Sequence, residues 1–355
     1  MLPQNLDCDI HRINLSLTTV CSADCIFCPE VRGADGAKKH MTSALVEKLL
    51  IDMSKDPRLD HIKDFSCGEN GDCFINPQAI DCLRMIRKYR PQSNIIIFTN
   101  FLTMKQSIAE TLVKEQLVDR LECNIDGYDE EHYRAVKKGN LTKAKENIEY
   151  FLRIRNESGT KIPLTMHVIT YERYVKTIQA NMNVSPSRAT ETPPSNFENE
   201  FEKIKELWSP CLDPTMDLLQ EIKQCFGWAE RGQWQNRKID YRQYTCPLLE
   251  RIKHEAFIAP DGTWYLCCFD AKNEIKIGNV GTESLSSLMD QPKRKNLISL
   301  VENRQFEKVG GPCQTVNCCE LLYENPKETR FWRYYQRAPS AMKLAMRLGK
   351  RLLNF

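Results

Sequence analysis

Three cysteines, Cys21, Cys25 and Cys28, fall within eight residues in the spacing C-x3-C-x2-C, and no fourth lies beside them. A structural zinc site closes four ligands, commonly as two close pairs. Three thiols on one short loop suit a different group, a four-iron cluster whose fourth iron is left to a ligand other than protein. The segment ahead of them, HRINLSLTT, alternates as a strand does. Such a strand would deliver the loop to the end of a sheet, with Phe27 placed to cover it.

Downstream, strand and helix patterns alternate, which predicts a parallel α/β sheet. Strands are expected at 13–18, 62–66, 94–99, 120–125 and 163–170, and helices near 43–53, 77–89, 105–115 and 142–155. A sixth strand is expected at 217–222, after a helix at 198–207. The stretch 181–199, rich in Pro, Ser, Thr and Asn, reads as a connecting loop. A length of 355 residues fits two domains, or one barrel with an appendix.

The chain opens without a basic segment leading into an apolar run, and no stretch approaches a membrane span, so a cytoplasmic protein is expected. A net charge of +3 gives no reason to expect nucleic acid. Sixteen cysteines are many for a reducing compartment, where thiols are packed, catalytic or metal-bound rather than paired. Cys8, Cys67, Cys73, Cys82 and Cys123 sit in apolar patterns and read as small buried hydrophobes.

A second group begins at Cys246. FIAPDGTWYLCC reads as a hairpin turning at Pro260-Asp261-Gly262, which returns Cys267 beside the chain entering from Cys246. Cys313 and Cys318 would complete a four-thiolate site, and these residues suit zinc and an iron–sulfur cluster equally. From Arg330 to Phe355 there are seven basic residues and no acidic one. Ala341, Leu344, Leu348 and Leu352 share one helical face, with Lys343, Arg347 and Lys350 opposite. Such a helix either rests on an anionic membrane or packs on the barrel with its basic face in water.

The form C-x3-C-x-aromatic-C of CSADCIFC resembles that of radical S-adenosylmethionine enzymes. The resemblance implies a partial (β/α)6 TIM-like barrel with its site at the C-terminal strand ends. It implies a [4Fe–4S] cluster on Cys21, Cys25 and Cys28 whose open iron takes S-adenosylmethionine. An electron from a donor such as flavodoxin or ferredoxin then yields a 5'-deoxyadenosyl radical that takes a hydrogen atom from substrate. Gly68 and Glu69 in FSCGENGD match the family's Gly-Gly-Glu turn, which holds the methionine amino group, although Cys67 replaces its first glycine and Asn70 its usual proline. Thr99 and Asn100 resemble its Thr-Asn-Gly turn, with Phe101 in place of glycine. NIDGYDEEHY is similar to a segment that reaches the methionine carboxylate or ribose, which carries Asn124 and Asp126 over as cofactor contacts; Asp129 there also reads as a helix N-cap.

Gly262-x4-Cys267, IGNV and PCQ resemble SPASM and twitch auxiliary-cluster domains, and that resemblance favours iron–sulfur over zinc. Two clusters would need more ligands than the six cysteines found from Cys246 onward. One auxiliary [4Fe–4S] cluster on Cys246, Cys267, Cys313 and Cys318 is therefore expected, with Cys268 or Cys319 as alternatives to their neighbours. The domains are expected at 1–235 (barrel), 236–325 (an α+β auxiliary domain) and 326–355 (the basic helix).

Twenty residues precede Cys21, too few for a peptide-recognition domain, which favours oxidation of a small molecule such as a sugar or aminocyclitol. A peptide or protein side-chain maturase is the alternative, and a non-catalytic iron–sulfur or zinc scaffold is the alternative from another class. No catalytic acid or base is singled out, although Tyr133, His167, Tyr171, Glu172 and Arg173 lie near expected strand ends.

Overall fold

The computed structural model describes residues 10–26, 28, 38–172, 198–222, 244–246, 248–270, 272–314 and 322–323. Phe27, Arg173, Cys318, Cys319, most of the 181–199 loop, the 235/236 boundary and the basic tail lie outside them.

Six parallel strands follow one another in space in chain order: β1 (Arg12–Leu15), β2 (Asp64–Cys67), β3 (Asn94–Phe98), β4 (Arg120–Asn124), β5 (Leu164–Val168) and β6 (Leu218–Glu221). Helices α1 (Ser43–Ser54), α2 (Ala79–Tyr89), α3 (Gln106–Glu115), α4 (Glu130–Lys137), α5 (Leu141–Ser158) and α6 (Glu200–Trp208) connect them. The molecule is thus an α/β partial barrel with an auxiliary region C-terminal to it.

Period-2 alternation gives the strands two unlike faces. Ile13, Leu15, Phe65, Ile97, Leu121 and Met166 are wholly buried in the core cluster that also takes up the helices' apolar faces. The opposite face carries Arg12, Asn14, Ser66, Arg120, Glu122 and His167. A closed barrel fills that face with branched aliphatic side chains, whereas here these polar groups share it with Ile96 and Phe98 of β3.

The helix ends follow their capping residues. Thr42 accepts from Leu45 N at the start of α1, Asp129 from His132 N at α4 as its sequence predicts, and Asn140 from Lys143 N at α5. Gly159 ends α5 in the left-handed conformation.

The hairpin forms as expected between β8 (Glu255–Ile258) and β9 (Thr263–Tyr265), with Gly262 at φ +84° in the turn. It does not stand apart from the barrel. β8 pairs in parallel with β1, Arg12 opposite Glu255, so the hairpin and β10 (Lys276–Asn279) extend the same sheet to nine strands. A separate pair, β7 (Tyr244–Thr245) and β11 (Leu322–Tyr323), brings the chain on either side of the auxiliary cysteines together. Among the described residues no helix is long and apolar enough to cross a membrane.

Candidate functional site

The cysteine loop begins where β1 ends and is held by α4. Asp24 N donates to the Lys137 carbonyl at 3.1 Å and Ile26 N to the Val136 carbonyl at 2.9 Å, so the loop uses acceptors that the last turn of a helix leaves open. Cys28 N donates to the Cys25 carbonyl at 3.0 Å, which tightens the turn between those two thiols. Cys21, Cys25 and Cys28 all face one cavity of about 600 Å³. Asn100 steadies the first of them, with Nδ2 3.4 Å from Cys21 Sγ and 3.2 Å from Ser22 Oγ.

Burial, partly offset by Lys137, pushes the Cys25 thiol up to about 12. A thiolate there is favoured only when metal coordination replaces the lost hydration. Among the described residues no three Cys, His, Asp or Glu side chains converge on a point that one ion could occupy. Thiols spread around a cavity suit a multi-iron cluster, in which each iron takes one thiolate, and the donor set fits such a group.

The chain after β2 forms the next wall. Gly68 has φ +107°, and a Cβ there would stand 2.5 Å from the Phe98 carbonyl oxygen, so only glycine fits. Glu69 lines the cavity, with Oε1 3.6 Å from Arg251 Nη2 and 3.4 Å from Ser66 Oγ. Burial raises its carboxyl above the usual range, although Arg251 pulls the other way.

The Thr99–Asn100 turn is held by a residue that the motif comparison missed. The buried Asp72 carboxylate accepts from Thr99 Oγ1 at 3.2 Å, from Asn100 N at 3.0 Å and from Phe74 N at 3.2 Å. Phe101, which stands where glycine is usual, adopts φ +60°. Its ring is wholly buried near Phe151, and its carbonyl accepts from Asn147 Nδ2 at 2.6 Å, contacts that offset the strain.

Asn124 and Asn100, two of the expected cofactor contacts, line the cavity. Asp126, another expected cofactor contact, is not among the cavity-lining residues. Its side chain is 0% exposed, one oxygen accepting from Lys137 Nζ at 2.9 Å and the other from Ile169 N at 2.7 Å. Asp126 instead holds a cation: Lys137, itself 3% exposed, lines the cavity beside the cysteines. Deeper in the cavity Glu122 accepts from His167 Nε2 at 2.9 Å and from Arg120 Nη2 at 2.6 Å. Burial alone would raise this carboxyl, but His167 and Arg120 hold it below its usual value.

In the auxiliary region adjacent cysteines part. Cys268 lines the cavity, 3.2 Å from Arg251 Nη1. The buried Cys267 is not among the cavity-lining residues; its thiol is raised first by burial, then by Cys268, Cys313 and Cys246 around it. Arg251 therefore ties Glu69, Glu255 and Cys268 into one cluster, with Glu255 Oε2 at 2.8 Å from its Nη2.

A family model for the radical SAM superfamily matches residues 15–180, and a second, for an iron–sulfur cluster-binding domain (SPASM), matches 246–319. The chain belongs to the radical SAM superfamily. It is an enzyme of that superfamily with a SPASM-type auxiliary domain, and its cofactors are a [4Fe–4S] cluster that binds S-adenosylmethionine, S-adenosylmethionine itself and an auxiliary iron–sulfur centre. The fold resembles that of SuiB from Streptococcus suis bound to precursor peptide SuiA, at 15% identity over 82% of this chain and 67% of that one, with a TM-score of 0.50. It also resembles native anSMEcpe with bound AdoMet and Cp18Cys peptide, at 12% identity over 82% of each chain, with a TM-score of 0.51. BtrN in complex with AdoMet and 2-DOIA matches at 13% identity over 86% of this chain and 92% of that one, with a TM-score of 0.49. At such identities the likeness is one of fold. No curated protein matches the chain by sequence.

Proposed function

We propose that this radical SAM enzyme oxidises or otherwise modifies a small polar molecule, such as a sugar, at a carbon bearing a hydroxyl. The observation that carries this reading is a run of polar side chains on the inward face of β4. Arg120, Glu122 and Asn124 line the cavity that the three cysteines also face. Such groups offer hydrogen bonds to the hydroxyls of a polar ligand.

Cys21, Cys25 and Cys28 would each take one iron of the cleaving cluster. The bound cluster and S-adenosylmethionine supply abstraction of a hydrogen atom from an unactivated C–H bond. Glu69 would receive the methionine ammonium, and Lys137, kept charged by Asp126, would face its carboxylate. Asn100 orients Cys21, while Asn124 offers a neutral amide to the sugar or carboxylate end of the cofactor. Cys246, Cys267 and Cys313, with Cys318, would hold the auxiliary cluster, and Cys268 would stay on the substrate side. A one-electron donor of the flavodoxin or ferredoxin kind completes the system.

The test is 5'-deoxyadenosine formation by the reconstituted enzyme under reduction, with panels of polyols, sugars and peptides bearing deuterium at the reacting carbon. Deuterium transfer from a polyol or sugar into 5'-deoxyadenosine supports the reading. Transfer from peptides alone moves the assignment to side-chain maturation, and no 5'-deoxyadenosine under any condition points to a scaffold.

A further inference from the structure

Two guanidiniums in the cavity have no part in the cofactor assignment. Arg12 is the first residue of β1 and Arg120 the first of β4, so both stand at the N-terminal ends of their strands, opposite the cysteine loop. At about 3.3 Å per residue Arg12 lies roughly 10 Å from the C-terminal end of β1 and Arg120 roughly 13 Å from that of β4. Both line the cavity, and their side chains are 35% and 42% exposed, so a ligand can reach them.

Their hydrogen-bonding capacity is largely unspent. Arg12 has Asp64 at 4.0 Å as an ion-pair partner and, among the described residues, donates no side-chain hydrogen bond. Arg120 gives Nη2 to Glu122, and its buried Nε–H has no acceptor. A guanidinium carries five N–H donors in a fixed fork that matches the oxygens of a carboxylate or phosphate.

The charges lead to the same conclusion. With Glu69 assigned to the methionine ammonium, Lys137 to its carboxylate and Arg251 bound by Glu255, among the described residues Arg12 keeps only Asp64 at 4.0 Å and Arg120 only the carboxylate of Glu122. Glu122 is itself shared with His167.

We propose that the substrate carries an oxyanion, a phosphate ester or a carboxylate, which docks on Arg12 and Arg120 while the reacting carbon points toward the cysteine loop. This deepens the small-molecule reading and rests on it. An acidic sugar or sugar phosphate fits, whereas an amine-bearing cyclitol would meet two like charges.

The experiment is calorimetric titration of the anaerobically reconstituted full chain, saturated with S-adenosylmethionine, with sodium phosphate and separately with sodium acetate at constant ionic strength. Saturable binding of phosphate alone assigns the phosphate-ester class, and binding of both admits a carboxylate. The Arg12→Gln/Arg120→Gln variant should weaken that binding by about tenfold or more, with S-adenosylmethionine affinity unchanged. Arg12→Lys/Arg120→Lys should fall between the two, which separates charge from folding damage. No saturable anion binding by wild type with S-adenosylmethionine bound, or equal affinity in the glutamine variant, overturns the proposal. Failure of wild type to bind S-adenosylmethionine would instead sink the cofactor assignment; phosphate titrated without it still tests the two arginines.

Discussion

Replacing Glu69 by glutamine is expected to weaken S-adenosylmethionine binding by about 10- to 100-fold, the loss of a charge-assisted hydrogen bond worth roughly 1.5–3 kcal/mol. The same substitution should leave the fold as stable as wild type, or more so. Burial raises the Glu69 carboxyl, so its charge costs stability at neutral pH, and that cost is relieved as pH falls. The pH dependence of binding runs the other way. As pH drops toward the raised value the carboxylate takes a proton and the ammonium loses its partner, so affinity falls at a pH where an ordinary glutamate would still be charged. In Glu69→Gln this part of the profile should be flat. Equilibrium binding across pH, with thermal melts alongside, checks both, and an unchanged Kd at neutral pH would remove Glu69 from the cofactor site.

Lys137→Met is expected to cost about 3–5 kcal/mol of stability, because it leaves the fully buried Asp126 carboxylate without its counter-charge. The Ile169 N–H alone does not offset a buried charge. The damage should spread to the cysteine loop, since Asp24 and Ile26 hang from the carbonyls of Lys137 and Val136. Iron retained on the first cluster should therefore fall with stability. Lys137→Met/Asp126→Asn should recover much of the stability by removing the orphaned charge. Chemical denaturation of the three proteins measures this; a single variant as stable as wild type would mean that the pair is not the anchor of the loop.

These sites show where the sequence speaks and where it falls silent. β1 and β4 are readable because their outward residues alternate with polar inward ones, β3 as a short apolar run, and the hairpin because Pro260-Asp261-Gly262 admits few other conformations. The first three cysteines are readable because their spacing is local. The Asp126–Lys137 pair is not readable for the opposite reason: Lys137 arrives by way of a helix, and nothing in NIDGYD marks which carboxylate that helix will cover. The β1–β8 pairing joins residues far apart in the chain, so its register cannot be read from either segment alone. The adjacent Cys267 and Cys268 lie in the turn after β9, where no strand alternation tells which of them lines the cavity beside Arg251. Phe101 keeps a glycine's conformation through tertiary packing that no local pattern reveals.

The central claim is that one chain holds a cleaving cluster on its first three cysteines and an auxiliary cluster on its later ones. Iron and acid-labile sulfide after anaerobic reconstitution, on wild type and on a Cys21→Ala/Cys25→Ala/Cys28→Ala variant, test it most directly. The account expects roughly eight irons in wild type and roughly four in the variant. Roughly four in wild type and none in the variant would contradict it, leaving the later cysteines without iron–sulfur.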